Sequence, residues 1–166
     1  MANVQLWIQV MWSTKNRNPI LINPGRTTLF EYLQTSSREK GIFIDTINGE
    51  ADHVHLLISL QMDQSILKVI QSIKAEACYW AKRQKLFDTD LEWQTDFLAV
   101  SVSHSSLESV RNYILQQEKI HSKKTYQQEY DAFIKKYEFH QPGPERPRAR
   151  TIKTRGFNTG LVMRTE

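Results

Sequence analysis

Strand-type and helix-type segments follow one another in the order strand, helix, strand, strand, helix, strand and then two more helices. That order predicts an α+β, ferredoxin-like (RRM-like) fold, a four-stranded antiparallel sheet with helices packed on it. The strand-type segments are short and rich in β-branched and aromatic residues. The helix-type segments repeat their apolar residues at three- and four-residue spacing. A length of 166 residues suits one compact domain with a short tail.

The first strand is predicted over Gln5–Trp12, a run too short for most helices. Pro24 and Gly25 precede Leu29, Phe30 and Leu33, a helical spacing that Gly41 stops. Ile42–Ile47 reads as the second strand, Asn48-Gly49 as a turn, and His53–Leu60 as the third strand. Asp63 is placed to cap the next helix, whose buried face carries Ile66, Val69, Ile70, Ile73, Ala77 and Trp80. Phe97–Ser103 is the fourth strand. Ser105 and Glu108 form a capping-box pattern that opens a helix running to about His121. Thr125 and Gln128 give the same signal for a last helix carrying Tyr130, Phe133, Ile134 and Tyr137. The domain is expected to span residues 1–140. From 141 to 166, Pro142, Pro144 and Pro147 interleave with Arg146, Arg148 and Arg150, the pattern of an extended basic tail.

Composition narrows the setting. The chain is 40% hydrophobic and 24% charged, and no run approaches the roughly 20 apolar residues of a membrane helix. Its start lacks the basic and apolar segments of a secretory signal. The single cysteine, Cys78, falls among apolar residues of a helix, where a packing role is expected. One cysteine cannot form an internal disulfide, so the expected compartment is the cytoplasm. A formal charge of +4 and a pI near 9.2 favour a polyanionic partner without identifying one.

His53-Val54-His55 carries the chemical argument. Strand side chains alternate, so both histidines project from one face while Val54, Leu56 and Ile58 anchor the other. Two neutral imidazoles so placed can reach one metal ion. The pair alone is a weak signal, because strand histidines are often structural. Tyr113 and Gln117 share a helical face through their four-residue spacing. A half-buried tyrosine beside a solvated glutamine is the competing reading. A glutamine carbonyl oxygen suits a hard cation such as Mg²⁺ or Mn²⁺.

Taken together these segments resemble the single-tyrosine HUH transposases, comprising the IS200-like insertion-sequence transposases and the REP-associated tyrosine transposases. HUH denotes His-hydrophobic-His, present as His53-Val54-His55. Met11–Leu21 resembles the family's opening strand and basic turn, and Trp93–Phe97 its Trp-Gln segment. Ser72–Ala77 resembles the second-helix motif, with Ala75 where the family commonly has glycine. Val110–Gln117 resembles the helix that bears the catalytic tyrosine. The likeness runs from about Trp7 to Tyr137 and excludes the tail.

The resemblance implies a fold of the HUH endonuclease type and a transposase that cuts and rejoins single-stranded DNA through a 5′-phosphotyrosine. It implies Tyr113 as nucleophile, His53 and His55 as ligands of Mg²⁺ or Mn²⁺, and Gln117 as the third ligand. Gln116 competes for that place, and the four-residue offset favours Gln117. Hairpin-containing single-stranded DNA is the implied partner. A homodimer is the implied assembly, with the tyrosine helix of one chain serving the other's histidines; a monomer is the pattern of REP-associated relatives. Lys15, Arg17, Lys74, Lys82, Arg83 and Arg111 are candidate phosphate contacts, each against the competing reading of a solvated charge. Trp93 and Phe97 are candidates for base stacking or for core packing. Asp52 either tunes a histidine or merely ends the turn.

Three other readings use the same residues. A non-catalytic RRM-like module would bind single-stranded nucleic acid on exposed sheet aromatics, but no glycine-aromatic run of that type is present. A domesticated transposase relative would bind DNA without transposing. A metal-dependent hydrolase using the histidine pair would need carboxylate ligands, which the sequence alone does not place.

Overall fold

A computed structural model of the chain describes residues 3–139. The basic tail expected over 141–166 lies outside the described residues. The strands are β1 (Leu6–Ser13), β2 (Phe43–Glu50), β3 (His53–Leu60) and β4 (Leu98–Val102). The helices are α1 (Gly25–Glu39), α2 (Ile66–Gln84), α3 (Leu107–Leu115), α4 (Gln117–His121) and α5 (Tyr126–Lys136). The sheet order is β2-β3-β1-β4 with every neighbouring pair antiparallel, the predicted ferredoxin-like arrangement.

Strand alternation divides the sheet into two faces. Val10, Trp12, Val54, Leu56 and Ile58 pack with Leu29, Leu33, Val69, Ile70, Ile73 and Ala77 of α1 and α2 as the main core. Leu57 meets Leu107 and Ile114 of α3 on the opposite face, and Met11 meets Tyr126 and Phe133 of α5 there. The two histidines project onto this second face and are covered by it. No described helix is long and apolar enough to cross a membrane.

Several local expectations change. Asn48-Gly49 is not a turn: both residues lie inside β2, and β3 begins after Ala51 and Asp52. Gly49 is needed because a Cβ there would lie 2.2 Å from the His53 carbonyl oxygen and 2.9 Å from Val54 Cα. The glycine permits close approach of two backbones rather than a reversal. Gly49→Ala is therefore expected to destabilise the fold by about 1–3 kcal/mol, as overpacking does. A melting temperature equal to the wild type's would contradict this account of Gly49.

The predicted helix through His121 is two helices, with the break at Gln116. Asn48 Nδ2 donates to the Leu115 carbonyl at 3.1 Å, and Arg26 pairs with both Glu50 and Glu118 at 3.0 Å, so contacts on either side hold the break. Neither Ser105 nor Asp63 caps a helix; the N-caps are Ser106 and Ser65, without side-chain cap bonds. The Thr125–Gln128 capping box is formed in full. Gly41, at φ 72°, follows α1 as the stop residue. Cys78 is half-buried, and burial pushes its thiol pKa up to about 11, so the group is an unreactive packing thiol.

Candidate active site

His53, His55 and Gln117 converge beneath α5 with no exposed surface, and Glu129 of α5 is almost as deeply buried. Register explains the placement of the imidazoles. His55 lies between Met11 of β1 and Asn48 of β2, and His53 lies between Ser13 and Glu50. Gln117 arrives from the first turn of α4, and its Nε2 donates to Glu129 Oε1 at 3.3 Å and to the Tyr113 carbonyl at 3.4 Å. Those donations turn its carbonyl oxygen toward His53 Nε2, 3.3 Å away.

Asp52 decides the tautomer of His53. In the neutral ring Nδ1–H donates to Asp52 Oδ1 at 2.7 Å, so Nε2 presents a lone pair to the centre of the site. Burial would raise the Asp52 pKa, but the hydrogen bond with His53 helps to hold it below the usual value. The reading of Asp52 as an orienting group is thus favoured over one confined to the turn.

Glu129 stands outside the set of site residues that the sequence predicts. Its carboxylate lies 3.3 Å from His55 Nε2, 3.7 Å from His53 Nε2 and 2.8 Å from His121 Nε2, and it accepts a hydrogen bond from the Tyr113 hydroxyl. Burial opposes its charge, yet the His121, His55 and Tyr113 contacts outweigh burial and depress its pKa far below the carboxylate range. Glu129 in turn holds the His121 pKa above normal, against the pull of burial. Burial pushes the His55 pKa down, keeping the ring neutral and metal-competent. Burial, followed by the Glu129 hydrogen bond and charge, raises the Tyr113 pKa. One sequence signal bears on Glu129: with Tyr126 and Phe133 it occupies the buried stripe of α5, an unusual place for a carboxylate.

The donor set fits a divalent metal. Ligand atoms of His53, His55 and Glu129 lie within 4.8 Å of one another. The His53 Nε2 lone pair faces Gln117 Oε1 and Glu129 Oε2, so three acceptors converge with no proton between them in the neutral tautomer. Both ring nitrogens of His55 are buried without a hydrogen bond, despite the nearby carboxylate. A cation bound among these atoms would satisfy the converging acceptors and one ring nitrogen of His55.

Tyr113 stands beside this cluster in the same chain, its ring centroid 5.7 Å from that of His55. The expected cations are more dispersed. Lys15 pairs with Glu92 at 2.5 Å and Lys82 with Asp90 at 2.6 Å. Arg111 makes a two-pronged pair with Asp45 at 2.8 and 2.9 Å, tying α3 to β2. Lys74 Nζ donates to the carbonyls of Gln94, Thr95 and Asp96 and lies over the Trp12 and Phe97 rings. Lys74, Lys82 and Arg83 belong to α2, which packs on the sheet face away from the histidines; Arg83 donates to the Tyr79 hydroxyl. Of the six, Arg17 alone approaches the site, stacked 5.4 Å above Tyr126, whose ring is 4.8 Å from His53. Trp93 and Phe97 pack against the main core, Trp93 edge-on to Trp12 at 5.9 Å.

Comparison with known proteins bears on the family and the fold. A curated relative, the ISDra2 transposase TnpA of Deinococcus radiodurans, is 25% identical over 116 residues, covering 66% of this chain and 82% of the relative. A crystal structure assigned as a transposase from Deinococcus radiodurans R1 superposes with a TM-score of 0.55 at 18% identity, covering 70% of this chain and 93% of that one. A REP-associated tyrosine transposase bound to a REP hairpin gives a TM-score of 0.55 at 14% identity, covering 73% and 72%. The two solved structures share the fold. The family model described as "Transposase IS200 like" matches residues 2–117, ending at the buried glutamine, and the chain belongs to that transposase family.

Proposed function

We propose that this chain cleaves and rejoins single-stranded DNA, with Tyr113 as nucleophile and a divalent metal, Mg²⁺ or Mn²⁺, held at His53 and His55. The observation that carries the reading is the convergence of Tyr113, both histidines, Gln117 and Glu129 on one sheet face. His53 Nε2 and His55 Nε2 would hold the ion, with oxygen ligation from Gln117 Oε1 and the Glu129 carboxylate. When bound, the ion supplies charge that draws electron density from the scissile phosphate.

The chain's own residues do the rest. Asp52 fixes the His53 tautomer. Glu129 holds the phenolic proton and orients the Tyr113 oxygen. The Tyr113 oxygen bonds to phosphorus, the bond from phosphorus to the 3′ oxygen breaks, the phenolic proton is released and a proton reaches that 3′ oxygen. One phosphate ester replaces another, so a 3′-hydroxyl can reverse the step and rejoin the strand without nucleotide hydrolysis.

Hairpin-containing DNA is the proposed substrate, in line with the hairpin-bound REP-associated transposase, and the cytoplasm the proposed location. Lys15, Arg17, Lys74, Lys82, Arg83 and Arg111 stand as proposed DNA contacts. The exposed pairs of Lys15 and Lys82 can exchange their carboxylates for phosphates at little cost. The homodimer is the proposed assembly; because Tyr113 stands beside His55 of its own chain, a monomer would also carry a whole site.

A binder of RRM type is disfavoured, since α3, α4 and α5 cover the sheet face it would offer. Glu129 does supply the carboxylate that a metal hydrolase requires, but such an enzyme leaves no covalent protein–DNA product. The test is cleavage of a hairpin-bearing single strand with Mn²⁺ and with EDTA, alongside calorimetric Mn²⁺ titrations. Gln117→Ala and Glu129→Gln are each expected to weaken Mn²⁺ binding by about 10-fold or more. Gln116→Ala, at an exposed position, should bind Mn²⁺ as the wild type does. A crippled Gln116→Ala beside an unaffected Gln117→Ala would displace the third ligand, and cleavage undiminished in EDTA would remove the metal from the reaction.

A further inference from the structure

Four further cations line one cavity together with Tyr113. A cavity of about 550 Å³ opens between α3, α4 and α5, with Tyr113 and Glu129 at its inner end. Lys119, Lys123, Lys124 and Lys136 line it. All four are exposed, and among the described residues none makes an ion pair. Lys136 Nζ lies 5.1 Å from the Tyr137 ring centroid, so that ring and a cation stand together on the wall. Among the described residues Glu129 is the only carboxylate lining the cavity, and His121 and Tyr113 already engage it.

The geometry points to this cavity as the entry for the single-stranded DNA that Tyr113 attacks, its phosphates held by the four lysines and a base resting on Tyr137. The inference rests on the DNA-cleaving reading above and deepens it. Three observations support a strand of DNA as the occupant. His53, His55 and Gln117 are sealed beneath α5, whereas Tyr113 is only partly buried and lines the cavity beside Glu129. The volume lies in the range of small-molecule sites, enough for a nucleotide unit at the attacking oxygen. Lysine ammonium groups are point charges suited to phosphates whose positions vary along a flexible strand. Every one of these lysines lies beyond residue 117, where the family match ends.

The test uses the full chain and a fluorescein-labelled single-stranded oligodeoxynucleotide, with binding followed by anisotropy across a sodium chloride series. Removing one lysine–phosphate pairing should reduce the log–log salt slope by about 0.7, so replacing all four lysines by glutamine should reduce it by about 2–3. Affinity at moderate salt should fall by tens of fold. A variant with Lys40→Gln and Lys68→Gln, on other surfaces, controls for net charge and is expected to lose less than the matched pair Lys123→Gln and Lys124→Gln. An oligonucleotide bearing 5-iodouracil should photo-crosslink within residues 119–137. A slope and affinity unchanged in the fourfold variant, or equal losses in the two charge-matched pairs, would overturn the assignment. So would tighter binding of an RNA strand or a DNA duplex with the same lysine dependence. If the wild type forms a covalent adduct and the fourfold variant forms it as well at the same oligonucleotide concentration, the cavity fails and the cleavage reading stands. If lysine-dependent binding is seen without any adduct, the cleavage reading fails and the cavity stands as a DNA-binding site.

Discussion

Tyr113→Phe is expected to lower DNA cleavage by on the order of 10⁴-fold or more while hairpin binding stays within about twofold of wild type. The substitution removes one oxygen and leaves the ring packed against its neighbours, so phosphate contacts that supply affinity are untouched. It also removes the hydrogen bond to Glu129. That loss should cost about 1 kcal/mol and lower the melting temperature by roughly 2–4 °C. A variant that unfolds would confuse the result, and this small shift shows that it has not. Continued cleavage would transfer the nucleophile to Tyr126 or Tyr130. Tyr126 is the nearer to the histidines, although burial, which outweighs its hydrogen bond with Ser13, pushes its pKa up to about 12.

His55→Phe separates metal binding from folding. The wild-type ring is wholly buried with two unbonded nitrogens, an arrangement that costs stability and that a metal ion relieves at one of them. Phenylalanine fills similar space without polar atoms. Without metal, the variant loses the contact with Glu129 as well as two buried unbonded nitrogens, so it should melt close to the wild type. With Mn²⁺ at 100 times its Kd, the wild type gains about 2.7 kcal/mol and the variant gains none. Cleavage by the variant should fall to background. An equal metal-induced rise in both proteins would mean that His55 is not a ligand.

Local pattern carried most of the fold. The alternation along His53–Leu60 places both histidines on one face, and the apolar spacing of Val69, Ile70, Ile73 and Ala77 locates the buried face of α2. The Tyr113–Gln117 spacing also points to the right neighbours, although the helix breaks between them at Gln116. What local pattern lacked was tertiary approach. Gly49 resembles a turn residue because turns and close backbone contacts both select glycine, and only the position of the His53 carbonyl distinguishes them. Glu129 is far from the histidines in sequence, and its approach depends on how α5 crosses the sheet. The candidate cations illustrate the same limit: charge is legible in sequence, but the partners Asp45, Asp90 and Glu92 that engage Arg111, Lys82 and Lys15 are set by packing.

The most direct measurement is mass spectrometry of the full chain after reaction with a hairpin-bearing single-stranded oligonucleotide and Mn²⁺. The account predicts a covalent protein–DNA species of one-to-one mass, with the peptide bearing Tyr113 carrying the 5′-phosphate of the cleaved strand and EDTA preventing its formation. Cleaved DNA with only unmodified protein, or an adduct on any other residue, would contradict it.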